Sequence, residues 1–151
     1  THQLVLAGKA GWLAEGFQQT IAAQPKAVQK QIVLPGFVAD EDKAALLSGA
    51  TALLYPSLYE GFGFPLLEAQ ACGTAVLSAF TSSLPERASD TALLVDALDE
   101  AAIANGIDEL VTNGTLRHLL VTKGWKNVKR FGWQKTGVQT LALLEKAAVF
   151  G

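Results

Sequence analysis

Glu60 and Glu68 stand at the two ends of Glu60-Gly61-Phe62-Gly63-Phe64-Pro65-Leu66-Leu67-Glu68, with seven residues between them. Gly61 and Gly63 lack a Cβ, so the backbone between the acids can approach a ligand closely. Pro65 suits the first position of a helix, and a helix start approached by glycines offers free N–H groups and a positive dipole end to an anion. A carboxylate can accept two hydrogen bonds from a sugar or ribose diol. Phosphates on the amides and hydroxyls on the acids together suit a sugar nucleotide, with Glu68 expected in the first helical turn. Each part also has a plainer role. An acid in a first helical turn is favourable without a ligand, Glu60 can be a solvated loop charge, and Phe62 and Phe64 can be core residues. The segment is not a P-loop, since no Gly-Lys-Ser/Thr follows, and it lacks Gly-x-Gly-x-x-Gly.

Other polar residues carry less. Cys72, the single cysteine, lies among Ala69, Ala71 and Gly73 and reads as a small buried hydrophobe. His2 and His118 give no metal-ligand spacing with it. Ser82 and Ser83 have no base indicated nearby and read as turn residues, with Glu86 a lesser candidate for a ligand pocket. Lys123, Lys126, Lys129 and Arg130 recur at helical spacing, which describes a solvated face or, in a parent acting on lipid-linked sugars, one facing a membrane. Trp125 and Trp133 read as packing anchors, and Lys9 as a solvated loop charge.

These residues need elements to hold them. Leu4-Val5-Leu6-Ala7, Ile32-Val33-Leu34, Ala52-Leu53-Leu54-Tyr55, Ala75-Val76-Leu77-Ser78 and Ala92-Leu93-Leu94-Val95 are short continuous apolar runs, the mark of strands buried on both faces. Helices are expected over residues 11–24, 41–49 (capped by Asp40, with Leu46 and Leu47 inward), from Pro65 to Gly73, and over 98–112, 116–130 and 133–148, with Gly114 and Gly132 as separators. Strands alternating with helices predict a single-domain α/β fold: a doubly wound parallel sheet with a helical C-terminal tail. Ligands of such sheets bind beyond the carboxyl ends of the strands, where the Glu60–Glu68 segment falls.

Composition narrows the classes. The chain has 151 residues, half of them hydrophobic, and a mean hydropathy of +0.26, which suits one globular domain. A net charge of −2 gives no basic excess for nucleic acid. A lone cysteine forms no internal disulfide and fits a reducing compartment. No apolar run is long enough to span a bilayer. The chain opens on Thr1-His2 without an initiator Met and is expected to be a piece of a longer protein.

From Tyr55 to Asp96 the sequence closely resembles the C-terminal, nucleotide-sugar-binding domain of group 1 (family 4) glycosyltransferases. The matching residues are Pro56-Ser57, Glu60 through Ala69, Ala71-Cys72-Gly73-Thr74, Ser82 through Glu86, and Ala92 through Asp96. Leu4 through Gly8, Gly36-Phe37-Val38, and Phe131-Gly132-Trp133 also look like the family, with Gly132 where a Ser is usual. The resemblance implies a Rossmann-like fold, one of two such domains facing a cleft, and retaining, metal-independent transfer with no cofactor beyond the donor. It implies that Glu60 lies near the donor sugar as the catalytic acid residue and that Glu68 holds the ribose. The backbone of Gly61, Phe62, Gly63 and Phe64 would meet sugar and diphosphate, and Phe37 and Val38 would border the base. The family's first strand-helix unit, with its Arg and Lys clamp, and the N-terminal acceptor domain are not found in the sequence, and Lys9 does not fit the clamp. The isolated chain is therefore expected to be inactive, and the uncovered sheet edge to be open to self-association.

The function expected is donor binding within an enzyme that transfers a glycosyl group from GDP-mannose or a UDP-sugar to an acceptor in glycan or polysaccharide biosynthesis. It would work in the cytoplasm or against the inner face of the plasma membrane. The alternatives are a non-catalytic nucleotide-sugar-binding module and a sugar-nucleotide epimerase of related fold.

Overall fold

A computed structural model describes residues 2–9 and 14–149. The described chain is a parallel α/β, Rossmann-like fold with five strands and eight helices among the described residues. It forms two compact units, residues 1–43 and 44–151.

In the first unit β1 (Leu4–Ala7) pairs in parallel with β2 (Ile32–Gly36), Leu4 opposite Ile32 and Val5 opposite Val33. Between them lie α1 (Ala14–Ala22) and the four-residue α2 (Lys26–Gln29), which Pro25 precedes. The expected start of the first helix, residues 11–13, lies outside the described residues. β1 is not the buried strand that its apolar run predicts. Leu4 and Val5 are each 40% exposed, because a two-stranded sheet offers few neighbours to cover them. α3 (Asp40–Gly49) begins one residue earlier than expected. Asp40 is not its cap but its first residue: the amides of Asp42 and Lys43 donate to Ala39 O, and the Asp40 carboxylate instead pairs with Lys43 at 2.7 Å.

The second unit holds the main core. β3 (Ala52–Tyr55), β4 (Ala75–Ala79) and β5 (Leu93–Val95) form a parallel sheet with β4 in the centre, all five of its residues buried. Strand alternation sends Leu53, Tyr55, Val76 and Leu94 to one face and Ala52, Leu54, Leu77, Leu93 and Val95 to the other. The first face is covered by α4 (Phe64–Ala71), through Leu66, Leu67 and Ala69, and by α5 (Leu84–Ala88), through Leu84 and Ala88. The second is covered by Leu110 of α6 (Glu100–Thr112) and Leu120 of α7 (Gly114–Val128). The sheet is thus wound on both sides, as the alternation of strands and helices predicts. Helix α6 lies so close that a Cβ on Gly106 would come 2.7 Å from the Leu77 side chain.

Several local expectations are corrected. Leu47 packs on the core while Leu46 is exposed. Asp99 and Asn113 cap α6 and α7 by accepting from the amides of Ala102 and Leu116, so Gly114 is not a separator but the first residue of its helix. Cys72 is half-buried, not buried, at the end of α4. Trp125 is half exposed and lies over Gly73. Trp133 opens α8 (Trp133–Val149) and is 80% exposed, so it is a weak anchor.

Candidate functional site

The sheet brings Tyr55 to the carboxyl end of β3, and the chain then turns through residues 56–63 into α4. Gly63 precedes the helix with φ +88° and ψ 45°. A Cβ there would come 2.8 Å from the buried Leu84 side chain, so this position needs glycine on both conformational and steric grounds. Phe64 is the first helical residue and Pro65 the second. Glu68 consequently lies in the second turn of α4, not the first as the position of Pro65 predicts. It stands about 6 Å along the axis from Phe64. The Leu66 amide donates to Gly63 O at 3.2 Å and Pro65 has no N–H, so Gly63 and Phe64 carry the remaining amide donors at this helix start.

The loop carrying Glu60 is tied at both sides to the segment before α5. The Glu60 amide donates to Ser82 Oγ at 2.9 Å, and Ser83 Oγ donates to the Glu60 carbonyl at 2.9 Å. Thr81 Oγ1 donates to Ser57 O at 2.7 Å. Ser82 adopts a positive φ of 47° to make this turn. Ser82 and Ser83 are therefore more than turn residues; they fix the backbone of Glu60 and leave its carboxylate free to act elsewhere.

Burial pushes Tyr55 up to about 12, a hydrogen bond to Glu60 and the charge of Glu60 push the same way, and the charge of Glu68 adds to them; a hydrogen bond with Ser57 opposes. Glu60 and Glu68 thus lie on the loop and the helix that follow the carboxyl end of β3, where Tyr55 stands, a residue that no local sequence pattern singles out.

Aromatic rings back the loop. Phe62 is partly buried against the core and lies 4.6 Å from Phe64 and 6.1 Å from Phe131, centroid to centroid. Phe64 is 48% exposed, contrary to its reading as a core residue, and stacks on Trp133 at 6.3 Å. The Arg87 guanidinium lies 4.4 Å over Phe62 and pairs with Glu86, which is exposed. Beneath α4, Gln70 is 1% exposed; its Nε2 donates to Thr91 Oγ1 at 2.6 Å, and its Oε1 accepts from Asn127 Nδ2 at 2.8 Å. Asn127 Nδ2 also reaches Arg87 O at 2.8 Å, so one buried network joins α4, α5 and α7 below the acids.

Phe37 and Val38 belong to the first unit, following β2. Phe37 is 67% exposed, and the Lys9 ammonium lies 5.3 Å from its ring centroid, so Lys9 is not simply a solvated charge. Among the described residues no group of three or more His, Cys, Asp or Glu could hold a metal ion, and no helix is long and apolar enough to cross a membrane.

Comparison with known proteins gives the family. The family described as "Glycosyl transferases group 1" matches residues 2–127. O-antigen chain mannosyltransferase B of Escherichia coli is 34% identical over 140 residues, covering 93% of this chain and 36% of that protein. Sucrose-phosphate synthase from Thermosynechococcus elongatus superimposes with a TM-score of 0.83 at 27% identity, over 99% of this chain and 39% of that one. HepE from Anabaena, solved in complex with UDP, superimposes with a TM-score of 0.82 at 18% identity, over 96% of this chain and 41% of that one. The chain spans about a third of the length of the curated relatives it matches. With the matching profile running through both acids and the glycine turn between them, the chain belongs to the group 1 glycosyltransferase family.

Proposed function

We propose that this chain is the donor-binding part of an enzyme that transfers a glycosyl group, with retention, from a nucleotide-diphosphate sugar to an acceptor in glycan biosynthesis. The observation that carries the proposal is the placement of Glu60, tied by Ser82 and Ser83, ahead of the Gly63 helix start that leads to Glu68, beyond the carboxyl end of β3. Glu68 accepts hydrogen bonds from the ribose diol. The amides of Gly63 and Phe64, with the close-approaching backbone of Gly61 and Phe62, receive the diphosphate and the near edge of the sugar. As the glycosidic bond to phosphate breaks, negative charge grows on the leaving diphosphate, and the α4 N-terminus stabilises it without reorganising. Glu60, its backbone held by Ser82 and Ser83, faces the sugar and its developing oxocarbenium character.

Relatives described as mannosyltransferases support GDP-mannose as donor, and the UDP found in HepE supports a UDP-sugar. The proposed workplace is the cytoplasm. The test is amide NMR on the 151-residue chain. GDP or UDP should saturably shift Gly61, Gly63, Phe64 and Leu66. Shifts scattered over α6 and α8 with none at these positions would contradict the assignment.

A further inference from the structure

A second charged feature lies away from the acid pair. Residues 110–144 contain Arg117, Lys123, Lys126, Lys129, Arg130 and Lys135 and not one Asp or Glu, in a chain whose net charge is −2. Charge is therefore strongly segregated onto α7 and the start of α8. Part of this surface is concave: a hollow of about 290 Å³ is lined by Lys123, Lys126, Asn127 and Arg130 from α7 and its end, and by Ser89, Asp90 and Thr91 from the turn after α5.

The lining is organised. Asn127 is 3% exposed and locked by Gln70 and Arg87 O, and its Oδ1 accepts from Arg130 Nη1 at 2.9 Å. A buried amide thus orients one edge of the Arg130 guanidinium, leaving its other donors for a ligand. Lys123 is held by Asp90 at 2.6 Å. Lys126 has no ion-pair partner among the described residues. Three cations stand against one carboxylate, and concave walls focus the surplus positive potential. Ser89 makes the rim with a positive φ of 51°.

We propose that this hollow binds a phosphate group, with Arg130 and Lys126 as its ligands and Lys123 held in reserve by Asp90. The shared chemistry is a phosphate oxyanion, whether free or on an anionic lipid headgroup. The proposal is independent of the donor site: Arg130 and Lys126 take no part in it.

The test is a titration of the 151-residue chain with inorganic phosphate, followed by amide NMR against sodium chloride at matched ionic strength, together with sedimentation on phosphatidylglycerol and phosphatidylcholine vesicles. Phosphate should saturably shift Lys126, Asn127 and Arg130. Lys126→Ala and Arg130→Ala should each weaken the response about fivefold or more. Lys129→Ala, outside the hollow, and Glu68→Ala should leave it unchanged. Both ligand side chains are exposed, but Arg130 also donates to the buried Asn127, so a thermal melt of each variant accompanies the titration. Retention on phosphatidylglycerol alone, lost in the same two variants, assigns a lipid source; phosphate shifts without retention assign a soluble one. Shifts that chloride reproduces, or that survive both variants, overturn the proposal, as does the absence of both saturable shifts and variant-sensitive retention.

Discussion

Ser83 Oγ donates to the carbonyl of Glu60 at 2.9 Å across 23 residues of sequence. With the Glu60 amide on Ser82 Oγ, this bond decides where the first acid of the site stands. Ser83→Ala removes one hydrogen bond of about 0.5–1.5 kcal/mol. Nucleotide affinity should fall about two- to tenfold while the melting temperature moves little, because the loop is at the surface. Isothermal calorimetry beside a thermal scan checks this; a large loss of stability with unchanged affinity would assign Ser83 to folding instead.

Gly63 is fixed by φ +88° and by the 2.8 Å approach of Leu84 to any added Cβ. Gly63→Ala should cost about 1–3 kcal/mol of stability, from backbone strain alone or with displacement of Leu84. Urea unfolding measures it. Gly61→Ala is the control, since an added Cβ there meets nothing within 4 Å.

Asn127 donates to both Gln70 Oε1 and Arg87 O in the buried network. Asn127→Leu leaves these acceptors without a partner and should destabilise by about 1–3 kcal/mol. Adding Gln70→Leu should recover part of that loss, since replacing both partners of a buried bond by apolar groups is closer to neutral. A double-mutant cycle in urea reads the coupling directly.

Tyr55 titrates late. Its pKa is raised from 10.0 to about 12, so the native state keeps its proton where the unfolded state has lost it. The stability that Tyr55 contributes is fully present below pH 10 and is lost as pH rises through about 12. In Tyr59→Phe, Tyr55 is the one remaining phenol of the two in the chain. Its ultraviolet titration should centre near 12, and Glu60→Gln should lower the midpoint by removing a charge and altering the hydrogen bond. A midpoint unmoved by Glu60→Gln would separate the two side chains.

Much of the fold could be read from sequence because β3, β4 and β5 are short, mostly apolar runs alternating with helices; β1, an apolar run in a two-stranded sheet, shows that such a run buries only where neighbours cover it. The acid pair was also legible, through glycines and Pro65 at a helix start. What escaped depends on distance along the chain or on shortness. Helices α2 and α5 have four and five residues, below the length at which periodicity shows. The serine ties to Glu60, and the bond from Gln70 to Asn127 across 57 residues, join side chains that no local pattern links. Glu68 falls one residue further into α4 than expected because Phe64, an aromatic of ordinary helix propensity, extends the helix ahead of Pro65.

The central claim is that Glu68 grips a ribose beside an amide-lined helix start. Calorimetry of GDP and UDP against the chain and its Glu68→Ala variant tests it most directly. The claim predicts that one diphosphate binds and that the variant loses about 1.5–3 kcal/mol, the worth of hydrogen bonds to a charged group. Equal affinity in both proteins would contradict it.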